Sequence, residues 1–221
     1  LGIDKGEHAA LRSQLSDRSA AGQQRVAETL RADLARANAI DTAALDHSAR
    51  TSVEVVKRAY ATALEGFALP YGDVAVGGWR NTPYVVIQNV GAYLHVPRFL
   101  DSEHQINEAA DAEAYLSRLQ SYPRQLDGEV QRAADARAKG LVPPDFLLDK
   151  ALAQLKQSVD GARKGGGLVE SIERRTREKN IPGNWGERAR SIVQKDVVPA
   201  LERQIAELTA QRAQAKSAPG M

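Results

Sequence analysis

Apolar residues recur at steps of three and four along most of this chain. From Ala20 to Ala39, Val26, Leu30, Leu34 and Ala37 fall on one stripe of a 3.6-residue period, which predicts an amphipathic helix. A second helix, beginning near Thr42, places Val53, Val56, Tyr60, Leu64 and Phe67 on one face and Glu54, Lys57 and Arg58 on others, so it is expected to pack against the first. Between Leu69 and Leu100 the pattern breaks. Pro70, Gly72, Gly77, Gly78, Pro83 and Pro97 punctuate β-branched and aromatic runs such as Tyr84-Val85-Val86-Ile87, predicting one or two short strands with ordered loops. Ile87 to Leu94 reads equally well as a short buried helix, because brief apolar runs carry no decisive period.

The helical period resumes after Asp101. Asn107 is placed to cap a helix whose first turn holds Glu108 and whose apolar face is Tyr115, Leu116 and Leu119, ending at Tyr122-Pro123. A separate helix is expected from Pro123 to Lys139, closed by Gly140, and another from about Asp145 with Leu148, Leu152, Leu155 and Val159 inward. Gly165-Gly166-Gly167 reads as a loop, residues 168–179 as a shorter helix, and Pro182-Gly183-Asn184 as a turn. A long last helix carries Val193, Val197, Leu201, Ile205 and Leu208, with a kink expected at Pro199. The fold class is therefore mainly α: an antiparallel multi-helix bundle with one irregular or β-containing insertion near residues 69–100. Residues 1–221 form a single helical domain or the helical half of a larger one, and 217–221 a loop tail.

Composition narrows the chemistry. There is no cysteine, which removes disulfides, thiolate metal sites and cysteine nucleophiles. A net charge of +2 is too small for a dedicated nucleic-acid binder, and no stretch approaches the roughly 20 apolar residues of a membrane span. His8, His47, His95 and His104 are scattered, with no pair spaced to share a helix face, so no metal site is expected. Asp101, Glu103 and His104 are the nearest approach to a cluster. No Gly-x-Ser-x-Gly elbow and no phosphate-cradling glycine motif occurs. The arginines of residues 170–179 alternate with Glu170, Glu173 and Glu178 and read as a solvated face braced by ion pairs. Trp79-Arg80-Asn81-Thr82-Pro83-Tyr84 combines stacking area with a planar hydrogen-bond fork in a Gly/Pro-bounded loop. It reads either as a ligand-contacting loop or as one that packs over the helices.

Several stretches taken together carry a resemblance: Leu69-Pro-Tyr-Gly-Asp through Gly77-Gly-Trp-Arg, Ile106 followed by Asp111-Ala-Glu-Ala-Tyr-Leu-Ser-Arg-Leu119, Gly140-Leu-Val-Pro-Pro-Asp-Phe146, and Val198-Pro-Ala-Leu201. In order and spacing the chain resembles the amino-terminal half of the bacterial Domain of Unknown Function 885 family, large, mostly helical and often exported proteins similar to zinc metallopeptidases. The resemblance implies that the His-Glu-x-x-His zinc helix lies in a carboxy-terminal half not present in this sequence. It also implies a periplasmic or secreted parent protein, and a chain trimmed at both ends. The expectation is thus a non-catalytic helical part of a zinc-dependent peptidase-like hydrolase, forming one wall of a substrate cleft, inactive alone and binding no zinc itself. Its partners are the remainder of the parent chain and a peptide substrate, with no nucleic acid. Trp79, Arg80, Tyr84 and Gln88 are the expected substrate-binding residues, Arg80 able to pair with a carboxylate. The alternative is a self-sufficient helical binding or scaffold module without chemistry.

Overall fold

The computed structural model describes residues 6–76 and 81–217. Among these are eight α-helices, and the only strand-like pairings are two isolated antiparallel bridges, Asp73 with Thr82 and Ile87 with Val90. The chain divides into two compact units, one of Ala20–Val85 and one of Leu1–Ser19 with Val86–Met221.

The first unit is a helical hairpin, α1 (Ala20–Asn38) and α2 (His47–Phe67), followed by an irregular clip. Its linker is shaped by two aspartates whose carboxylates take up backbone donors that no helical carbonyl can reach. Asp41 accepts from the Ala43 amide at 3.0 Å, and Asp46 caps α2 through the Ala49 amide at 2.8 Å. Of the expected stripes, Leu30 and Ala37 are buried, while Val56 keeps 38% of its surface and Ala63 is the buried residue of α2. A helix facing one partner buries only a narrow stripe.

The second unit is built around α4 (Ala109–Ala138), which packs against α8 (Val198–Gln214), α3 (Ala92–Ser102) and the amino-terminal segment. α5 (Asp145–Arg163) lies on α8, and α6 (Leu168–Glu178) on α7 (Trp185–Ile192) and α3. Leu100, Tyr115, Leu119, Leu126, Leu148, Leu155, Ile172 and Leu208 are fully buried. At about 1.5–3 kcal/mol for each large apolar side chain, this layer supplies most of the driving force.

Four sequence expectations change here. The helices expected on either side of Pro123 are one 30-residue helix. Proline removes a single donor, and Leu119, Tyr122 and Leu126, all buried, anchor both halves across it. Asn107 does not cap α4. Glu108 occupies that position without a side-chain bond, and Asp111, in the first turn, instead accepts from the Asn107 amide at 2.9 Å. Where a kink was expected at Pro199, the helix is interrupted just before it by a π-helical turn, Val193–Val197, in which the Val198 amide reaches back five residues to the Val193 carbonyl. The non-helical run is also shorter than residues 69–100, because α3 starts at Ala92. Gly140 behaves as expected. With φ at +79° it lets the Leu141 amide return to the Ala136 carbonyl at 3.0 Å and close α4.

Candidate functional site

The irregular segment after α2 is pinned locally in each unit. In the first, the Asp73 amide donates to the Thr82 carbonyl at 2.8 Å and Thr82 returns the bond at 3.2 Å, while the Asn81 side chain accepts from the Ala75 amide at 2.8 Å. Gly72, with φ at +87°, lies so close to Thr82 that a Cβ would sit 2.7 Å from its carbonyl oxygen. Tyr84 is half-buried, its amide bonded to the Thr82 hydroxyl at 3.1 Å. Trp79 and Arg80 lie outside the described residues.

In the second unit Ile87 and Val90 exchange backbone bonds at 3.0 and 3.2 Å across a tight turn whose corners are Gln88 and Asn89. The Tyr93 hydroxyl lies 3.1 Å from the Ile87 carbonyl and 2.7 Å from the Gln154 amide. One hydroxyl proton cannot serve two acceptors, so with Tyr93 donating to Ile87 the Gln154 amide is best turned to donate to Tyr93. Burial, helped by the nearby Glu129 charge, pushes the Tyr93 phenol above its ordinary range, so it remains a donor. Gln88 has an amide oxygen that is buried and has no hydrogen-bond partner among the described residues. Of the four expected site residues, Tyr84 and Gln88 are thus described, each in its own unit.

The apolar period gave no hint of a chain of buried and half-buried polar groups along α4. Asp111, Arg118, Gln125 and Arg132 stand seven residues apart on one helix face, and each binds residues 11–19, the end of a 3-10 helix (Gly6–Ser13) and the non-helical stretch that follows it. Asp111 pairs with Arg12 at 2.6 Å. Arg118 donates to the Leu11 and Gln14 carbonyls at 3.1 and 3.0 Å, Gln125 to the Ser16 carbonyl at 2.5 Å, and Arg132 to the Arg18 carbonyl at 3.3 Å. Beyond the 3-10 helix Gly6–Ser13 this segment has no helix or ladder to pair its carbonyls, and Arg118, Gln125 and Arg132 supply donors to those of Gln14, Ser16 and Arg18. Glu129, with no exposed surface, lies on the same side. It accepts from Arg18 Nε at 2.5 Å, from Gln204 Nε2 at 3.1 Å and, through both oxygens, from the Ala92 amide at 2.9 Å. Burial raises its pKa, opposed by Arg18 and these hydrogen bonds. With its lone pairs so engaged, it is a post in the fold and has none free for a substrate.

His104, one of the three residues of the loose cluster seen in the sequence, is 2% exposed and fully committed. Arg118 can only donate, so Nδ1 accepts from it at 2.6 Å, and Nε2 carries the proton given to the Asp111 carbonyl at 2.9 Å. Burial, reinforced by Arg118 and Arg175, lowers its pKa. Arg175, read as part of a solvated face, instead donates to the Leu100 carbonyl at 2.8 Å and to the His104 carbonyl, finishing α3. Among the described residues no three His, Asp or Glu side chains converge as a metal site. Because folded His104 resists protonation, its contribution to stability is complete above pH 6.5 and lost as pH falls toward its folded pKa, at no more than ~1.4 kcal/mol per pH unit. Urea unfolding across pH 7.5 to 5 is expected to show this slope, and His104→Gln, which can still accept from Arg118, to remove that component.

The fold is thus a mainly helical bundle whose irregular segment and amino-terminal segment are held by buried side-chain donors and acceptors. The chain belongs to the family described as bacterial protein of unknown function (DUF885), whose sequence pattern matches residues 1–220. A crystal structure of a putative lipoprotein from Colwellia psychrerythraea shares the fold, with a TM-score of 0.78 at 18% identity. The match covers 95% of this chain and 36% of that one, so this chain spans about a third of the length of that protein. No curated protein matches in sequence. No described helix is long and apolar enough to cross a membrane.

Proposed function

We propose that this chain is the non-catalytic amino-terminal helical part of a larger zinc-dependent, peptidase-like hydrolase that works outside the cytoplasm. In this reading the segment from Gly72 to Tyr93 forms one wall of its substrate cleft. The zinc and its ligands belong to the remainder of the parent protein, and Trp79, Arg80, Tyr84 and Gln88 orient a peptide. The observation that carries this reading is Gln88. An unpaired buried acceptor costs about 1–3 kcal/mol, and here it sits at the corner of a turn fixed by Ile87, Val90 and Tyr93, where a peptide N–H could satisfy it. The partial coverage of the Colwellia chain is consistent with a companion portion that holds the chemistry.

The test uses the full-length parent protein beside residues 1–221 alone, with peptide hydrolysis and bound metal measured for both. Hydrolysis and stoichiometric zinc are expected only in the former. In the parent, Arg80→Ala and Gln88→Ala are each expected to raise KM about tenfold with kcat within roughly threefold, as for lost ground-state contacts. Metal-dependent turnover by residues 1–221 alone would overturn the assignment. Peptide binding without hydrolysis in the parent would favour the scaffold reading.

A further inference from the structure

We propose that Glu129 is a conformational latch, through which the amino-terminal segment and the first turn of α3 open and close together. The two backbone connections to the unit Ala20–Val85 leave from residues Ser19 and Val86. Both approaches are gripped at one point on α4. On one side Arg18, next to Ser19, is bonded to the Glu129 carboxylate at 2.5 Å. A Cβ on the adjacent Gly128 would lie 2.8 Å from the Ser19 nitrogen, so backbone and helix touch there. On the other side the same carboxylate caps α3 from a distance. Gly91 offers no capping side chain, and the Ala92 amide, one of the orphan donors of that helix, gives its proton to Glu129 instead.

Glu129 lies on a third element's reach as well. Gln204 of α8 donates to it and is thereby left with an amide oxygen that is buried without a partner among the described residues. Turning that amide would set its oxygen against the carboxylate and orphan its N–H, so the charge on Glu129 dictates the orientation of Gln204. A junction that keeps one acceptor unsatisfied is closer to opening than a saturated one. Removing any one donor leaves the remaining charge underpaired, which weakens the site for all of them. The grips are therefore coupled although Arg18 and Ala92 are separated by more than 70 residues of sequence.

The experiment is hydrogen exchange by mass spectrometry on the full chain with Arg18→Gln. The amides of residues 92–95 are expected to exchange about tenfold faster, while those of α5 change by less than twofold. Arg203→Gln breaks an exposed pair with Asp127, half a turn from Glu129, and is expected to leave residues 92–95 as they were. Unchanged exchange at 92–95 in Arg18→Gln, or acceleration by one common factor in α5 and α3, would overturn the proposal. The first outcome means independent grips and the second a global loss of stability. Should Arg18→Gln not fold, Arg18→Lys, which keeps the charge but offers a point donor in place of a planar fork, decides by the same pattern at smaller amplitude.

Discussion

Arg118→Ala is expected to lower the unfolding free energy of this chain by about 3–5 kcal/mol. Arg118 is 4% exposed and, among the described residues, donates to the Leu11 and Gln14 carbonyls and to His104 Nδ1, while its Cζ lies 4.8 Å from the Phe99 ring centre. Each abandoned acceptor costs about 1–3 kcal/mol if it stays dry. The total falls below the sum because residues 11–14 lie near the surface and water can reach some of what is vacated. Arg118→Met separates the contributions, since it restores the stem packing without the donors, and should recover about 1 kcal/mol of the loss. Urea denaturation with an unchanged m-value checks both. A loss under 1 kcal/mol for the alanine variant would mean that the amino-terminal segment is not held by this stripe.

The second large effect comes from a pair of glycines in helices, where the same substitution should have opposite signs. Gly161 in α5 has nothing within 4 Å of where a Cβ would sit, so Gly161→Ala should gain about 0.5–1 kcal/mol from helix propensity alone. Gly128 in α4 would receive the same gain, but its Cβ would meet the Ser19 nitrogen at 2.8 Å, the Ser19 Cα at 3.0 Å and the Arg18 carbonyl carbon at 3.1 Å. These are backbone atoms in a segment tied down on both sides of the contact, and they cannot swing aside as a flexible side chain would. Overpacking of this kind costs about 1–3 kcal/mol, so Gly128→Ala is expected to destabilise by roughly 1–2 kcal/mol net. Thermal unfolding of the two variants, measured side by side, tests it. A stabilised Gly128→Ala would show that the segment near Ser19 is free to move off α4.

The helices were legible because their apolar residues obey a period that survives without knowledge of any partner. Leu148, Leu155 and Val159 in α5 read correctly in isolation and are buried. Pro123 misled because a proline reports the bond it removes, and nothing in its neighbourhood reports that Leu119, Tyr122 and Leu126 will be clamped by other helices across the gap. The polar stripe had a signal that went unused, the seven-residue recurrence of Asp111, Arg118, Gln125 and Arg132. Buried Gln204, Glu207 and Gln211 likewise share the inward seam of α8 with Leu201 and Leu208. Long polar side chains at core positions look like solvent-facing ones until something to bond appears opposite them. Glu207, for instance, is met by both nitrogens of an Arg137 fork at 2.9 and 3.0 Å, 70 residues away.

For the candidate site, the chain's own letters marked out Trp79, Arg80, Tyr84 and Gln88 as a loop able to stack and to hydrogen-bond. They could not show that Gln88 carries an unspent acceptor, since that depends on which atoms surround it. Sequence alone determined that this is a helical protein without thiol chemistry, and where most of its helices run, because side-chain period and propensity are properties of short stretches. Tertiary structure decided that residues 11–19 lie along α4, that Glu129 joins three distant parts of the chain, and that His104 and Arg175 serve the interior. A backbone carbonyl in need of a donor is identical in every residue, so only its position in space reveals which side chain will answer it.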